Sequence, residues 1–219
     1  MRLSDKGVVE IAEHEGIVPA PYRDSVGVVT YGVGHTAAAG GLDPREMSSA
    51  MPTGDALTAA VDRAILLFRD DLEKYEERVN SEFKVPLKQH EFDALVSWDF
   101  NTGGATWRHK RTGKPCQLHQ QVNAGDKSGA GFMGWLKPPE IRKRRTAEMN
   151  LFKTGDYDAN GNTVPIWGTN GALHLTGIVG HVSGPSLIAR MGRGSVSEPS
   201  STGFDWGWLI KLIMGMFKK

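Results

Sequence analysis

The chain has 219 residues, of which 39% are hydrophobic and 23% charged, and its formal net charge is +1. It can bury a core within one domain of two lobes, or within one domain and an extension. The single cysteine, Cys116, excludes an intrachain disulfide and gives no support for a disulfide-stapled secreted scaffold. The first residues contain no apolar signal-peptide core, and no segment approaches the ~18 apolar residues of a membrane span. We therefore expect a globular, soluble protein that is synthesised in the cytoplasm.

The N-terminal segment predicts a helix followed by a hairpin. Apolar residues at helical spacing begin at Val8 and run up to Glu15, and Gly16 followed by two prolines stops the helix. Glu15 is therefore expected on the last helical turn. β-Branched and aromatic residues over 22–34 flank the sequence DSVG, which predicts a hairpin with Asp24 in its turn.

A long amphipathic helix is predicted next. From Thr58 to about Val79 apolar residues recur at three- and four-residue steps, which indicates one helix of roughly 33 Å that can join two lobes. Further helices are expected over 89–104, where NTGG ends the helix, and at 116–124 and 140–153. In the first of these, one face is predicted to be buried through Phe92, Leu95, Val96 and Phe100. The first half is thus α+β and the second half mainly α, so the fold class is α+β, mainly α.

The charges are unevenly distributed along the chain. Residues 1–100 carry 10 Lys/Arg against 18 Asp/Glu, whereas residues 101–153 carry 11 against 3. Such a basic lobe indicates a polyanionic partner, either nucleic acid or the anionic polymers of a cell wall, or it balances the acidic half. Composition alone leaves these alternatives open.

The C-terminal part has a different character. Residues 161–203 are rich in glycine and, toward their end, in serine, which predicts an extension and linker whose folding the sequence does not decide. Residues 204–219 are apolar except for a thin basic stripe, and predict an amphipathic helix that lies in a membrane surface or docks on the protein itself. This helix is too short to span a bilayer.

Metal and cofactor motifs are incomplete. GVGHTA lacks the third glycine of a dinucleotide-binding loop. DYDANGN, at 156–162, begins like a calcium-binding loop but has Trp167 where a bidentate glutamate is needed. We therefore expect no cofactor and no metal.

Two acids near the N-terminus have the residue types that glycoside hydrolysis requires. One carboxylic acid protonates the leaving oxygen, and a second carboxylate stabilises the oxocarbenium-like centre or activates water. Glu15, if walled by Ile11 and Ile17, would be desolvated enough to stay protonated, whereas Asp24 on an exposed turn would stay ionised. Thr30 adds a hydroxyl that can hold the attacking water. Surface acids at this spacing are common, so the spacing alone does not establish a site.

The complete pattern is more specific. Glu15-x8-Asp24-x5-Thr30, followed directly by YGVGH, resembles the catalytic signature of phage-type lysozymes, glycoside hydrolase family 24. The resemblance continues through later blocks and covers roughly residues 4–160. These blocks are LFRDDLEK (67–74), QHEFDALVSWDFNTGG (89–104), QVNAGD (121–126), RKRRTAEMNLF (142–152) and TGDYDA (154–159).

The resemblance implies a two-lobed lysozyme-like fold with a small antiparallel β-sheet in the N-terminal lobe. The catalytic domain would cover 1–160, with an N-lobe of about 1–57, a long inter-lobe helix of about 58–80 and a helical C-lobe of about 81–160. The activity would be that of a muramidase, which hydrolyses the β-1,4 bond between N-acetylmuramic acid and N-acetylglucosamine in peptidoglycan. Members of this family invert the anomeric centre, which requires room for water between the carboxylates.

The resemblance also assigns roles to single residues. Glu15 would be the general acid, Asp24 the carboxylate that orients water or stabilises charge, and Thr30 the residue that positions the water. Three further residues would contact the substrate: Tyr22, Gly34 and Asn101. Asn101 is equally suited to capping the end of its helix.

Supporting residues follow from the same resemblance. His35 would pair with Asp71 and so link the hairpin to the long helix. Arg144 would lie against Glu15, although Arg145 is one step away and a solvated basic face is a third interpretation. A guanidinium would favour the ionised form of Glu15 and burial the protonated form, so the balance stays open.

Two other functions fit parts of the sequence. A lytic transglycosylase needs the acid but no water-directing partner, so Asp24 and Thr30 argue against it. A membrane-active antibacterial protein would kill through residues 204–219. For a phage endolysin without an export signal we expect synthesis in the host cytoplasm, holin-type release and action on the cell wall or in the periplasm. The expected partners are peptidoglycan and, through 204–219, a membrane surface; we expect no nucleic acid and a monomer.

Overall fold

The computed structural model describes residues 1–104, 107–137, 139–157 and 161–192. Within them the α-helices are α1 (Asp5–Glu15), α2 (Gly54–Asp71), α3 (Glu73–Glu82), α4 (Gln89–Thr102), α5 (Gln117–Asn123), α6 (Arg142–Thr154) and α7 (Gly184–Met191). The strands are β1 (Val18–Arg23), β2 (Val29–Gly32), β3 (His35–Thr36), β4 (Thr163–Thr169) and β5 (Leu175–Ser183). Short 3-10 helices are Ala37–Ala39, Pro44–Glu46, Ala130–Gly134 and Pro139–Ile141. The predicted α+β, mainly α class is confirmed.

The N-terminal lobe combines α1 with a three-stranded antiparallel sheet in the order β1-β2-β3. The side chain of Ser4 caps α1 by accepting a hydrogen bond of 3.0 Å from the N–H of Gly7. Gly16 ends the helix directly after Glu15 with a φ of 77°, a conformation that favours glycine. The position of Glu15 on the last turn is thus confirmed.

The helix predicted from Thr58 to about Val79 is longer in the structure and divided into α2 and α3. The residue between them, Leu72, keeps helical dihedral angles (φ −76°, ψ −15°), and its N–H still donates to the Phe68 carbonyl at 3.1 Å. The N–H of Tyr75 donates to the Leu72 carbonyl at 3.0 Å, a 3-10 type bond that tightens this turn. The interruption is therefore local.

The C-terminal lobe is built around α4, which packs against α3 and α6. Its predicted core residues Phe92, Leu95 and Val96 are buried. Phe100, also predicted to be buried, is only partly covered and meets the rings of Phe68 and Tyr75 edge-on, at centroid distances of 5.4 and 5.1 Å. This residue lies where α2, α3 and α4 converge, so it belongs to the junction between the lobes.

The extension beyond residue 160 folds onto the N-terminal lobe. β4 and β5 form an antiparallel hairpin, and α7 packs against α1 and α2. Ile17, directly before β1, joins the hairpin through two backbone bonds: its N–H donates to the Pro165 carbonyl at 2.8 Å, and the Trp167 N–H donates to its carbonyl at 2.9 Å. The sequence left the folding of this extension open, and the structure shows that residues 163–191 are folded.

Several predictions concern residues outside this description. The amphipathic helix predicted at 204–219 lies outside the described residues, as do residues 193–203 of the predicted extension and linker. The same holds for 158–160 within the calcium-loop-like segment. In the part of the chain that is described, none of the helices has the length and apolar character needed to cross a bilayer.

The burial of α7 leads to a stability prediction. Leu187→Ala should lower the free energy of unfolding by about 2–4 kcal/mol, because a fully buried side chain of the common core is truncated. Ile178→Ala on β5 is the matched control; its side chain is 50% exposed, and a change within about 0.5 kcal/mol is expected. Urea unfolding of the full chain measures both. Equal effects of the two substitutions would contradict a structural role for α7.

A second prediction concerns His14 on the last turn of α1. Its Nε2 atom is buried and has no hydrogen-bond partner among the described residues. Burial, followed by the positive charges of Arg144, Arg145 and Lys143, lowers the pKa of His14 to about 3. The native imidazole is therefore neutral where an unfolded histidine, with a pKa near 6.5, already binds a proton.

The sign of the pH effect follows from this difference. The contribution of His14 to the free energy of unfolding should be fully present above about pH 6.5. It should be lost as the pH drops toward 3, by up to about 1.4 kcal/mol per pH unit, because the unfolded state binds the additional proton. His14→Gln should flatten this part of the profile, measured by urea unfolding between about pH 3.5 and 7. His174→Gln, at an exposed histidine, should leave the profile unchanged. A profile for His14→Gln that runs parallel to that of the parent chain would refute the assignment.

Candidate active site

Glu15 ends α1 at the junction of the two lobes. Its carboxylate accepts a hydrogen bond from Nη1 of Arg144 on α6, and the two side chains are 33% and 8% exposed. The sequence left open whether Arg144 or Arg145 faces Glu15. The structure places Arg144 there, whereas Arg145 donates to Glu148 and to Asn101.

The apolar enclosure expected for Glu15 is not found. Ile11 and Ile17 are fully buried in the core, but the Glu15 carboxylate faces solvent and a guanidinium. The physical reason is the helix end itself: because α1 stops at Glu15, no following turn covers its side chain. The local environment of this acid is therefore ionic rather than apolar.

A buried polar cluster holds Arg144 in place. Its Nε donates to Glu148 at 3.0 Å and its Nη2 donates to the Ser97 carbonyl at 3.3 Å, while the Ser97 hydroxyl donates to Glu148 at 2.9 Å. Burial opposes the charge of Arg144, but the carboxylates of Glu148 and Glu15 outweigh it and raise the pKa of the guanidinium. Arg144 therefore stays charged although it is removed from water.

Asp24 lies in the turn between β1 and β2, as predicted. Its Oδ1 atom accepts hydrogen bonds from the N–H groups of Val26 and Val28, at 3.0 and 2.8 Å. Gly27, with a φ of 85°, donates its N–H to the Asp24 carbonyl at 3.0 Å and closes the turn. Because both side-chain bonds use Oδ1, Oδ2 keeps its capacity to accept a hydrogen bond from water or substrate.

Thr30 and Tyr22 are opposite each other on β2 and β1. The Thr30 hydroxyl is buried and donates to the Val28 carbonyl at 3.1 Å, so its lone pairs remain available to a donor. Burial, followed by the charges of Asp24 and Glu15, raises the pKa of Tyr22 to about 12. A single neutral phenol thus lies within electrostatic reach of both candidate carboxylates.

The hairpin is linked to the long helix through His35. Its Nδ1 atom lies 2.8 Å from Oδ2 of Asp71, and its Nε2 atom lies 2.8 Å from the Leu42 carbonyl oxygen. The predicted contact between His35 and Asp71 is therefore present, and the imidazole is almost completely buried. It fixes β3 against the end of α2.

The two remaining residues predicted to contact the substrate, Gly34 and Asn101, lie in different parts of the structure. Gly34 lines a cavity of about 140 Å³ between the sheet and the helices of the lobe junction, together with Tyr75 and Phe100. Asn101 does not face this cavity: its side-chain oxygen accepts a hydrogen bond from Arg145, and the helix is capped by Gly103 with a φ of 70°. Gly34 thus lines a small cavity whose described lining includes neither Glu15 nor Asp24, whereas Asn101 is bonded to Arg145 of the buried polar cluster.

Sequence reasoning missed a tryptophan that packs against Gly16, the residue after Glu15. The indole Nε1 atom of Trp167 lies 2.5 Å from the point that a Cβ atom on Gly16 would occupy. Any side chain at position 16 would therefore displace this indole as well as strain the backbone. The local signal in the sequence was the alternation of Val164 and Ile166 in TVPIWGT, which the surrounding glycines obscure.

Comparisons with known proteins agree with this architecture. The family model for phage lysozyme matches residues 12–148. The endolysin of Acyrthosiphon pisum secondary endosymbiont phage 1 is 32% identical over 165 residues, which cover 70% of this chain and 99% of that protein. The endolysin of Salmonella phage P22 is 31% identical over 156 residues, which cover 69% and 98%.

Solved structures give the same result. A crystal structure of a P22 lysozyme mutant has a TM-score of 0.57 at 28% identity, and the match covers 69% of this chain and 98% of that one. The family match includes Glu15, the hairpin with Asp24 and Thr30, and the first part of α6 with Arg144; β4, β5 and α7 lie beyond it. The chain therefore belongs to the phage lysozyme family and is a glycoside hydrolase of the lysozyme type.

Proposed function

We propose that this lysozyme cleaves the β-1,4 bond between N-acetylmuramic acid and N-acetylglucosamine in peptidoglycan, with Glu15 as general acid and Asp24 as its partner. The observation that carries the proposal is the placement of the two acids: Glu15 ends α1 against Arg144, and Asp24 lies in the turn after β1 with its Oδ2 atom available. A pair of acids on separate elements, beside a cleft, is the constellation that glycoside hydrolysis uses.

The proposed reaction consists of one displacement. Glu15 gives its proton to the glycosidic oxygen as the bond to the anomeric carbon breaks, and a water molecule attacks that carbon from the opposite face. Asp24 accepts the proton of this water or stabilises the positive charge that develops on the sugar, and Thr30 positions the water. The product has the inverted configuration, since water attacks the face opposite the leaving group.

To act as the acid, Glu15 gives up a proton, and in its neutral form it has no charge to pair with Arg144. Arg144 keeps a negatively charged partner when Glu15 is neutral, because its Nε remains bonded to the carboxylate of Glu148. Glu148 thus supports a change of charge at Glu15 without leaving a buried cation unpaired.

The assignment of the acid is tested by Glu15→Gln. Loss of a general acid should slow the release of muropeptides from purified sacculi by about 10²–10⁴-fold, because the leaving oxygen departs unprotonated. The products are measured by liquid chromatography and mass spectrometry, and urea unfolding checks that the variant is folded. Glu46→Gln, at an exposed acid on the second 3-10 helix, is the control and should keep full activity.

Two outcomes would overturn this proposal. Undiminished turnover by Glu15→Gln would remove Glu15 as the acid. Products ending in 1,6-anhydro sugars, instead of reducing ends, would identify a lytic transglycosylase, in which no water is added. The parent chain and the variant are digested side by side, so both outcomes are read from one experiment.

We further propose that the enzyme acts as a monomer on the cell wall or in the periplasm after holin-type release, and that its tail contacts membranes. The tail, residues 204–219, lies outside the described residues, and its composition supports an interfacial helix with lysines on one stripe. Nucleic acid has no part in this function.

Deletion of 204–219 should leave the digestion of purified peptidoglycan unchanged and reduce leakage from vesicles of anionic lipid, since an interfacial helix binds through apolar area and positive charge. Dye release from the vesicles measures the second effect. A variant with Lys211, Lys218 and Lys219 each changed to Glu keeps the apolar surface but reverses the charge. Equal leakage with the parent chain, the deletion variant and the lysine variant would exclude the membrane role.

A further inference from the structure

The segment between α4 and α5 forms a closed loop, residues 107–116, called the basic loop below. The N–H of Cys116 donates to the Trp107 carbonyl at 2.8 Å, and the N–H of His109 donates to the Lys114 carbonyl at 2.8 Å. These bonds hold the two sides of the loop together in the manner of a short hairpin. The exposed residues at its tip are therefore carried on a defined backbone.

The base of the basic loop is fixed by the core of the C-terminal lobe. Trp107 is buried, and its ring centroid lies 4.3 Å from that of Trp98 and 4.9 Å from that of Phe83. Next to it, the guanidinium of Arg108 forms an ion pair of 3.0 Å with Glu82 on α3. Within the described part of the chain, the tip of the loop forms no such contacts, so its charges project from a fixed base.

The basic loop and Trp135 line a cavity of about 860 Å³, and among the described residues that line it none is acidic. Four of the lining residues are lysine or arginine: Arg108, Lys110, Arg111 and Lys114. The last three are exposed and form no ion pair within the described residues. The indole of Trp135 is 45% exposed beside them. None of the described lining residues is a candidate residue of the active site.

The unpaired cations and the exposed indole together indicate the chemical class of the ligand. Unpaired lysine and arginine side chains bind phosphate oxygens through charge-assisted hydrogen bonds. An exposed indole offers a flat apolar face with a polar edge, on which the C–H face of a sugar ring can pack. The cavity has the size of sites that hold a small ligand. A nucleic-acid strand would instead favour charges spread along an extended groove, whereas these cations are confined to one loop.

We propose that the basic loop and Trp135 bind a phosphorylated saccharide of the cell envelope, at a site separate from the peptidoglycan cleft. The proposal rests on the proposed function to the extent that the enzyme meets the envelope. Phosphate groups would lie against Lys110, Arg111 and Lys114, and a sugar ring against Trp135. Such a site would retain the enzyme on an anionic surface, and the retention would weaken as salt screens the charges.

The test measures binding of the full chain to a defined probe by calorimetry at low ionic strength. The probe is the phosphorylated oligosaccharide obtained by deacylating lipopolysaccharide, before and after removal of its phosphates. The triple variant Lys110→Glu, Arg111→Glu and Lys114→Glu should bind the phosphorylated probe roughly tenfold to a hundredfold more weakly. Removal of the phosphates should abolish binding by the parent chain, and Trp135→Ala should weaken binding severalfold.

A control variant makes the same change in net charge elsewhere. It carries glutamate at three exposed basic positions outside the cavity: Arg63, Lys84 and Lys153. This variant should keep the affinity of the parent chain. An equal loss in both variants would show that overall charge, not this loop, governs binding and would overturn the proposal.

Two further outcomes would also overturn it. Equal affinity for the dephosphorylated probe would exclude phosphate recognition, and tighter binding of single-stranded DNA of the same charge would make the loop a nucleic-acid site. Digestion of purified peptidoglycan by the triple variant should equal that of the parent chain, because the loop lies outside the cleft. A failed binding test with normal digestion would therefore remove this inference and leave the proposed muramidase function standing.

Discussion

The buried guanidinium of Arg144 is the constraint on which the relative placement of the two lobes depends. A charge removed from water is tolerated only where carboxylates and hydrogen-bond acceptors replace its hydration, since the unpaired ion would cost several kcal/mol. Its partners come from three helices: Glu15 at the end of α1, Ser97 on α4 and Glu148 on α6 itself. Because Glu15 belongs to one lobe and Ser97 to the other, satisfying this one cation sets the spacing of the lobes. The interaction that stabilises the fold therefore also positions the proposed acid.

Both candidate carboxylates stand where a regular element stops. Glu15 is the last residue of its helix, and Asp24 lies in the turn that joins two strands. Such positions leave a side chain uncovered by its own element while the backbone beneath it stays fixed by hydrogen bonds. Gly16 and Gly27, both with positive φ, make these abrupt endings possible. The reactive groups are therefore accessible on a backbone that is itself rigid.

The parts of the fold that follow from local chemistry were predictable from the sequence. A helix stop at Gly16, a turn around Asp24 and the buried face of α4 depend on residues close to one another in the chain. What depends on tertiary packing was predicted only where the family resemblance supplied it, as for the contact of His35 with Asp71. Neighbouring residues of a helix differ by about 100° in direction, so only the packed structure decides whether Arg144 or Arg145 meets Glu15. The β4–β5 hairpin was not predicted for a related reason. β5 is exposed along most of its length and lacks the alternation of apolar and polar residues that marks a half-buried strand.

The joining of β4 to Ile17 also has a consequence for the order in which the molecule is completed. The bonded pair Ile17 and Pro165 are 148 residues apart in the chain. Contacts between such distant residues close large loops and form late, and an N-terminal region leaves the ribosome long before its C-terminal partner. The backbone of Ile17, two residues after the proposed acid, can therefore form its hydrogen bonds to β4 only after β4 has been synthesised. A ribosome must have translated most of the chain before the acid-bearing end of α1 can reach its final surroundings.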